Sequence, residues 1–159
     1  QSLRKVLRRK RYEIRSDSAF TQVMRACAAP RHGQGGTWIH EEMIAAYSEL
    51  HKMGVAHSVE TWIDGTLAGG LYGLSIGRMF YGESMFSHAA NASKIALAHL
   101  TTQLARWGYG MIDCQMNTPH LASLGAREIP RTEFIQQMKE LIHYPPVLPW
   151  RFDEYEFAK

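Results

Sequence analysis

The chain's 159 residues suffice for one domain with a proper core and are too few for two of ordinary size. A hydrophobic content of 45% against 21% charged residues is that of a soluble globular protein, and no apolar run approaches the length a bilayer span needs. Cys27 and Cys114 stand far apart and outside any CxxC pair, which argues against a disulfide framework or structural zinc and suits a reducing cytoplasm.

Net charge is only +3, but seven of the 18 basic residues crowd the opening segment: Arg4, Lys5, Arg8, Arg9, Lys10, Arg11 and Arg15, opposed there by Glu13 alone. Clustered cations suit a phosphate backbone, where counterion release drives binding; a solvated helix face or terminal arm is the alternative. Gln1 in place of a methionine leads to the expectation of a fragment or a processed product, and no signal peptide is read.

Tyr12 to Arg15 reads as a short strand. Phe20, Val23, Met24 and Cys27 then follow helical spacing, with Asp17 or Ser18 available as N-cap and Pro30 as the stop. Residues 31–36 are glycine-rich and loop-like. A second helix is expected from Glu41 to Met53, its two glutamates at the positive end and Gly54 beyond its last turn. Val55 to Ile63, Leu67 to Leu74 and Met79 to Met85 read as three strands. They are separated by Asp64-Gly65, a strong hairpin signal, and by Ile76-Gly77-Arg78; Gly69, Gly70 and Gly73 suggest a bulge or close backbone approach.

A helix over residues 89–107 places Leu97, Leu100, Leu104 and Trp107 on one face, and Gly110 to Met116 forms a further strand. A helical Pro119 to Leu124, a short strand at Arg127-Glu128-Ile129, and a helix from Thr132 to Ile142 follow. Pro145, Pro146 and Pro149 make the remainder irregular. Helices, an antiparallel meander and a strand–helix–strand unit point to an α+β domain around a mostly antiparallel central sheet flanked by helices.

Polar groups set among apolar ones single out Phe80-Tyr81-Gly82-Glu83-Ser84-Met85-Phe86-Ser87 and Ile112-Asp113-Cys114-Gln115. Asp113 and Gln115, two apart on a predicted strand, share a face, with Cys114 on the other. They are candidates for handling an amine, or else a buried structural pair. A carboxylate among apolar neighbours, as at Glu83, requires a partner, several donors or a cavity; Arg78 and Arg131 are candidate salt-bridge partners. The eight histidines show no HxxxH or HExxH spacing, and no acidic cluster accompanies them. Ser84 and Ser87 lack a nucleophile-elbow context, so metal and acyl-enzyme chemistry are both discounted.

Gly82-Glu83-Ser84-Met85-Phe86-Ser87, Asn91-Ala92-Ser93-Lys94, Ile112-Asp113-Cys114-Gln115, Ala122-Ser123-Leu124-Gly125-Ala126 and Glu128-Ile129-Pro130-Arg131 occur in that order. Together with Gly36-Thr37-Trp38-Ile39 and Ala56-His57-Ser58-Val59-Glu60, this series closely resembles the leucyl/phenylalanyl-tRNA–protein transferases. The resemblance runs unbroken from Trp38 to Arg131. It implies an N-acetyltransferase-like fold, with a basic entry segment over residues 1–16, one catalytic domain over 17–143 and a proline-rich tail over 144–159. The family's smaller N-terminal domain has no counterpart here. Ordinary acetyltransferases of that fold bind coenzyme A through a glycine-rich RxxGxG/A turn, which is absent before the Asn91 helix.

The implied activity moves leucine or phenylalanine from its tRNA ester to the N-terminal α-amine of proteins beginning with Arg or Lys, marking them for degradation. No metal or organic cofactor is implied, aminoacyl-tRNA being a cosubstrate, and a cytoplasmic monomer without membrane contact is expected. Asp113 and Gln115 are carried over as catalytic, Asp113 orienting Gln115 and Gln115 accepting from the attacking amine. Glu83 would bind the terminal adenosine or the cationic acceptor. Phe80, Ile112 and Ser87, and on looser grounds Leu71, Leu97 and Leu100, are carried over to the slot for the aminoacyl side chain. Trp38 offers a base-stacking ring or a core tryptophan, and Lys94 meets a phosphate or merely solvates its helix. Arg4, Lys5, Arg8, Arg9, Lys10 and Arg11 are the tRNA-binding candidates. His88 stands where the family prefers arginine and Ala90 where a polar residue is common, which touches the tRNA contacts rather than the slot. A non-catalytic tRNA- or RNA-binding domain and an acyl-CoA-dependent N-acetyltransferase are the alternatives.

Overall fold

A computed structural model describes residues 2–29, 39–115, 118–154 and 157. Its centre is the predicted meander: β2 (Ala56–Ile63), β3 (Thr66–Ile76) and β4 (Met79–Ser87) pair antiparallel in sequence order. Asp64 (φ 50°) and Gly65 (φ 74°) both adopt the left-handed conformation that a two-residue turn needs to match the twist of its strands. β1 (Glu13–Ser16) adds antiparallel to β2, and β5 (Met111–Asp113) adds parallel to β4, giving the order β1-β2-β3-β4-β5.

The connection between the parallel strands is the longest described helix, α4 (Ala92–Arg106), as parallel pairing requires a crossover. It seats directly on β3 because Gly69 has no side chain: a Cβ there would lie 2.6 Å from that of Ala92. Alternation along the strands gives each face its own core. Ala56, Tyr72 and Phe86 meet α2 (Phe20–Ala28) and α3 (Glu41–Lys52) through Phe20, Val23, Met24, Cys27 and Ile44. Val59, Leu71 and Phe80 meet Ala96, Leu100 and Leu104 of α4, together with Trp150.

The basic segment is a short helix, α1 (Leu3–Arg9), that buries Leu7 and exposes Arg4, Lys5, Arg8 and Arg9. Lys10 (φ 46°) ends it, and Tyr12 ties it down, its hydroxyl donating to Leu7 O (3.2 Å) and lying 2.9 Å from His99 Nε2. Beyond β5 come α5 (Pro119–Ser123), capped by the Thr118 hydroxyl accepting from Leu121 N–H, and α6 (Arg131–Leu141). Among the described residues no helix is long and apolar enough to cross a membrane.

Local expectations fail in three places. Neither Asp17 nor Ser18 caps α2; Glu60, from the middle of β2, does so instead. Its Oε1 accepts from Ser18 N (2.9 Å), Ala19 N (2.6 Å) and Ser18 Oγ (2.9 Å). Burial outweighs those donors and pushes the Glu60 carboxyl up to about 7. Arg127, Glu128 and Ile129 form no strand, because Gly125 (φ 100°) and Pro130 bracket them without a pairing edge. β5 stops at Asp113, since Gln115 (φ 65°) leaves extended conformation; Met116, the expected end of that strand, lies outside the described residues, as do residues 31–36 and Trp38.

Candidate active site

β4 and β5 run together only from Met79 to Tyr81, paired with Met111 to Asp113. β4 then continues along β3 without β5 beside it, so a mouth opens at the carboxyl end of the parallel pair, the place where parallel strands present ligand sites. Asp113 is the last paired residue. Its Oδ1 accepts the backbone N–H of Gln115 at 2.8 Å, stabilising the left-handed turn that follows. Gln115 then reaches back across the mouth, Nε2 donating to Gly82 O at 2.9 Å. Asp113 therefore orients Gln115 through the main chain, not by gripping its amide, and the shared face inferred from strand periodicity does not apply past Asp113. With Nε2 committed to Gly82, the amide oxygen of exposed Gln115 is left as an acceptor, and Asp113 keeps its second oxygen.

Glu83 owes its aim to an irregularity. The β3–β4 register passes from Tyr72↔Ser84 to Gly73↔Gly82, leaving Glu83 as the extra residue of a bulge. Its carboxylate meets Tyr47 of α3. Burial, with the charge and hydrogen bonding of Glu83 added, pushes the Tyr47 phenol up to about 12. Tyr72, whose ring sits edge-on to Tyr47 at 5.7 Å, is also held above its ordinary value by burial first, and its hydroxyl has no hydrogen-bond partner. Arg78, considered as a partner for Glu83, instead donates to Pro145 O at 2.9 Å.

On the α4 side of the mouth lies a cavity of about 390 Å³. Leu97, Ile112, Asp113, Cys114, Leu121 and Phe134 are among its walls, so polar Asp113 stands at the rim of an apolar recess. Leu97 and Ile112, both carried over to the slot by resemblance, face this cavity. Phe80 and Leu100 (0% and 1% exposed) and Leu71 do not line it; they form the packed layer behind it. Ser87 sits at the far end of β4, where its Oγ donates to Ala89 O (2.7 Å) and accepts from Ser93 N (3.3 Å), bracing the start of α4. Lys94 is half-buried one turn into that helix. Arg4, Lys5, Arg8, Arg9, Lys10 and Arg11 are exposed on and just beyond α1. Trp38 is outside the described residues.

Two features escaped the sequence. Tyr47 carries only a helical-core signal, and nothing in its spacing announces a partner on β4. Asp17, His51 and His57 also converge from three elements, with candidate ligand atoms within 4.8 Å of one another. Their atoms are already engaged: His57 Nδ1 with Asp17 Oδ2 (2.7 Å), His57 Nε2 with Gly54 O (2.9 Å) and His51 Nδ1 with Ala56 O (2.9 Å).

Comparison with known proteins identifies the fold and the family. A structure of an aminoglycoside acetyltransferase from an uncultured soil metagenomic sample superposes with a TM-score of 0.52 at 15% identity, covering 75% of this chain and 93% of that one. At that identity the likeness shows the fold alone, an acetyltransferase-like α+β fold. Among relatives in sequence, a leucyl/phenylalanyl-tRNA–protein transferase of Nitrosomonas europaea is 66% identical over 154 residues, 96% of this chain. One of Nitrosospira multiformis is 67% identical over 144 residues, 91% of the chain. This chain spans 65% and 62% of the lengths of those two relatives. The family model described as leucyl/phenylalanyl-tRNA protein transferase matches residues 1–139, and with relatives at this identity the chain belongs to that family.

Proposed function

We propose that this chain is an aminoacyltransferase that moves leucine or phenylalanine from aminoacyl-tRNA to the N-terminal α-amine of proteins beginning with Arg or Lys, marking them for degradation in the cytoplasm. The observation that carries the reading is the coupling of Asp113, Gln115 and Gly82 across the mouth of the parallel strands, beside an apolar cavity. The aminoacyl side chain enters the recess past Leu97 and Ile112, which brings its ester carbonyl to the rim. The acceptor α-amine, with an ordinary pKa of about 7.7–8.0, is partly neutral at cellular pH. It donates to the amide oxygen of Gln115 while Asp113 holds the turn. A carbon–nitrogen bond forms, the ester carbon–oxygen bond breaks, and the amine proton ends on the released ribose oxygen, by way of water or a neighbouring ribose hydroxyl. The ester is already activated, so positioning supplies much of the acceleration.

Glu83, aimed by its bulge and faced by Tyr47, binds the terminal adenosine or the cationic first residue of the acceptor. The cations of α1 take the tRNA backbone. No metal or organic cofactor is required, and the chain works as a monomer. The test is mass spectrometry of an arginine-initiated peptide incubated with leucyl-tRNA and this chain. The peptide should gain one leucyl residue, and its N-terminally acetylated form should gain none. A folded chain that binds the tRNA yet leaves the free peptide unchanged overturns the reading.

A further inference from the structure

We infer that His57 is a buried imidazolium that holds Trp150 against Phe80, which makes it a positioning residue for the apolar slot. The first observation is one of hydrogen-bond capacity. His57 is 2% exposed, and both ring nitrogens face atoms that can only accept: Asp17 Oδ2 at 2.7 Å from Nδ1 and Gly54 O at 2.9 Å from Nε2. A neutral imidazole carries one N–H and would set a lone pair against one of these acceptors. The imidazolium satisfies both. Asp17 supplies the opposing charge, fixed by its Oδ1 accepting from Ser58 N at 2.9 Å.

The second observation is a stack of three rings. Trp150 lies over His57 with ring centroids 4.1 Å apart and 11° between planes, and over Phe80 at 5.9 Å and 17°. The indole N–H of Trp150 has no hydrogen-bond partner, so ring contacts hold it, those to His57 and Phe80 together with those to Trp107 at 5.0 Å and Phe152 at 5.7 Å, and a cation over an indole face is the favoured arrangement. The main chain agrees, Ser16 Oγ donating to Trp150 O at 3.1 Å. The C-terminal segment thereby joins β1, β2 and β4 in one packed column. Phe80, at the inner end of that column, is hydrogen-bonded in register with Ile112 of the cavity wall.

The other titratable groups nearby do not alter this reading. His51 of α3 is 3.8 Å from Asp17 Oδ1 and directs Nδ1 to Ala56 O. Glu60 of β2 is turned to the start of α2. From the C-terminal segment it is the Trp150 ring that meets His57.

The slot is part of the proposed function, so the experiment separates the two. Nitrogen-15 spectra of the labelled full chain at neutral pH should show both His57 ring nitrogens protonated. In Asp17→Asn, one proton should be lost at the same pH, and the Phe80 ring signals should shift as Trp150 loosens. A bare His57 nitrogen in the folded wild type overturns the proposal, and so do unmoved Phe80 signals in a folded Asp17→Asn chain. In the transfer assay the same variant should raise KM for the aminoacyl donor about tenfold with kcat within about twofold. A wild type without transfer counts against the proposed function, and the spectra still decide the charge and the stack.

Discussion

Glu60 and Asp113 are both carboxylates on strands of one sheet, and their surroundings divide the molecule in two. Glu60 is fully buried, and one of its oxygens takes three donors at the start of α2. Asp113 is half-exposed at a cavity rim, spends one oxygen on a neighbouring N–H and keeps the other. The first arrangement is closed to solvent, its second oxygen buried without a hydrogen-bond partner, and its work is to fix a helix to a strand. The second is organised and open to the cavity. Access from the cavity, more than residue type, separates a buried polar group that stabilises from one that can act.

The sharpest way to break this contrast is to remove each carboxylate. Asp113→Ala should lower transfer at least about 100-fold, since the Gln115 turn loses its anchor, while thermal unfolding stays near wild type. A variant that transfers normally would make Asp113 a second Glu60. Glu60→Ala should do the reverse, costing about 2 kcal/mol in denaturant unfolding through loss of the α2 cap. The pH dependence follows from the raised pKa. Between about 4.5 and about 7 the unfolded carboxyl is ionised while the folded one keeps its proton. Its contribution is therefore complete below about 4.5 and is lost as pH rises toward 7. Glu60→Gln, which preserves the accepting oxygen, should remove that fall, seen as a wild-type-minus-variant Tm difference that declines across the window.

A smaller effect belongs to Tyr47. Tyr47→Phe keeps the packing on Tyr72 and deletes the hydroxyl facing Glu83, and should weaken transfer about tenfold while changing stability by about 1 kcal/mol or less. Equal activity would return Glu83 to the structural side of the comparison. The least per residue is expected from α1: replacing Arg4 and Arg8 with Ala should reduce the salt slope of tRNA binding by about 0.7–0.9 per lost phosphate contact, with kcat unchanged. An unaltered slope would make α1 a solvated helix face.

Much of the fold was legible because its signals are local. Asp64-Gly65 and Gly77 set the meander, the Leu97-Leu100-Leu104 spacing set α4, and the family motifs marked Glu83 and the Asp113–Gln115 pair. The sequence by itself thus determined the strands of the meander, the main helices, the family and which polar residues stand at the mouth. Only the tertiary structure decided how they are used. Glu60 caps a helix 41 residues away in sequence, Gln115 reaches Gly82 across 33, and Trp150 lies on His57. It also decided that Phe80 and Leu100 lie behind the cavity while Ile112 and Leu97 face it. Spacing along the chain reports which face of an element a residue occupies. Which partner that face meets depends on strand order, on the bulge at Glu83 and on chain closure over long separations, and no local pattern encodes these.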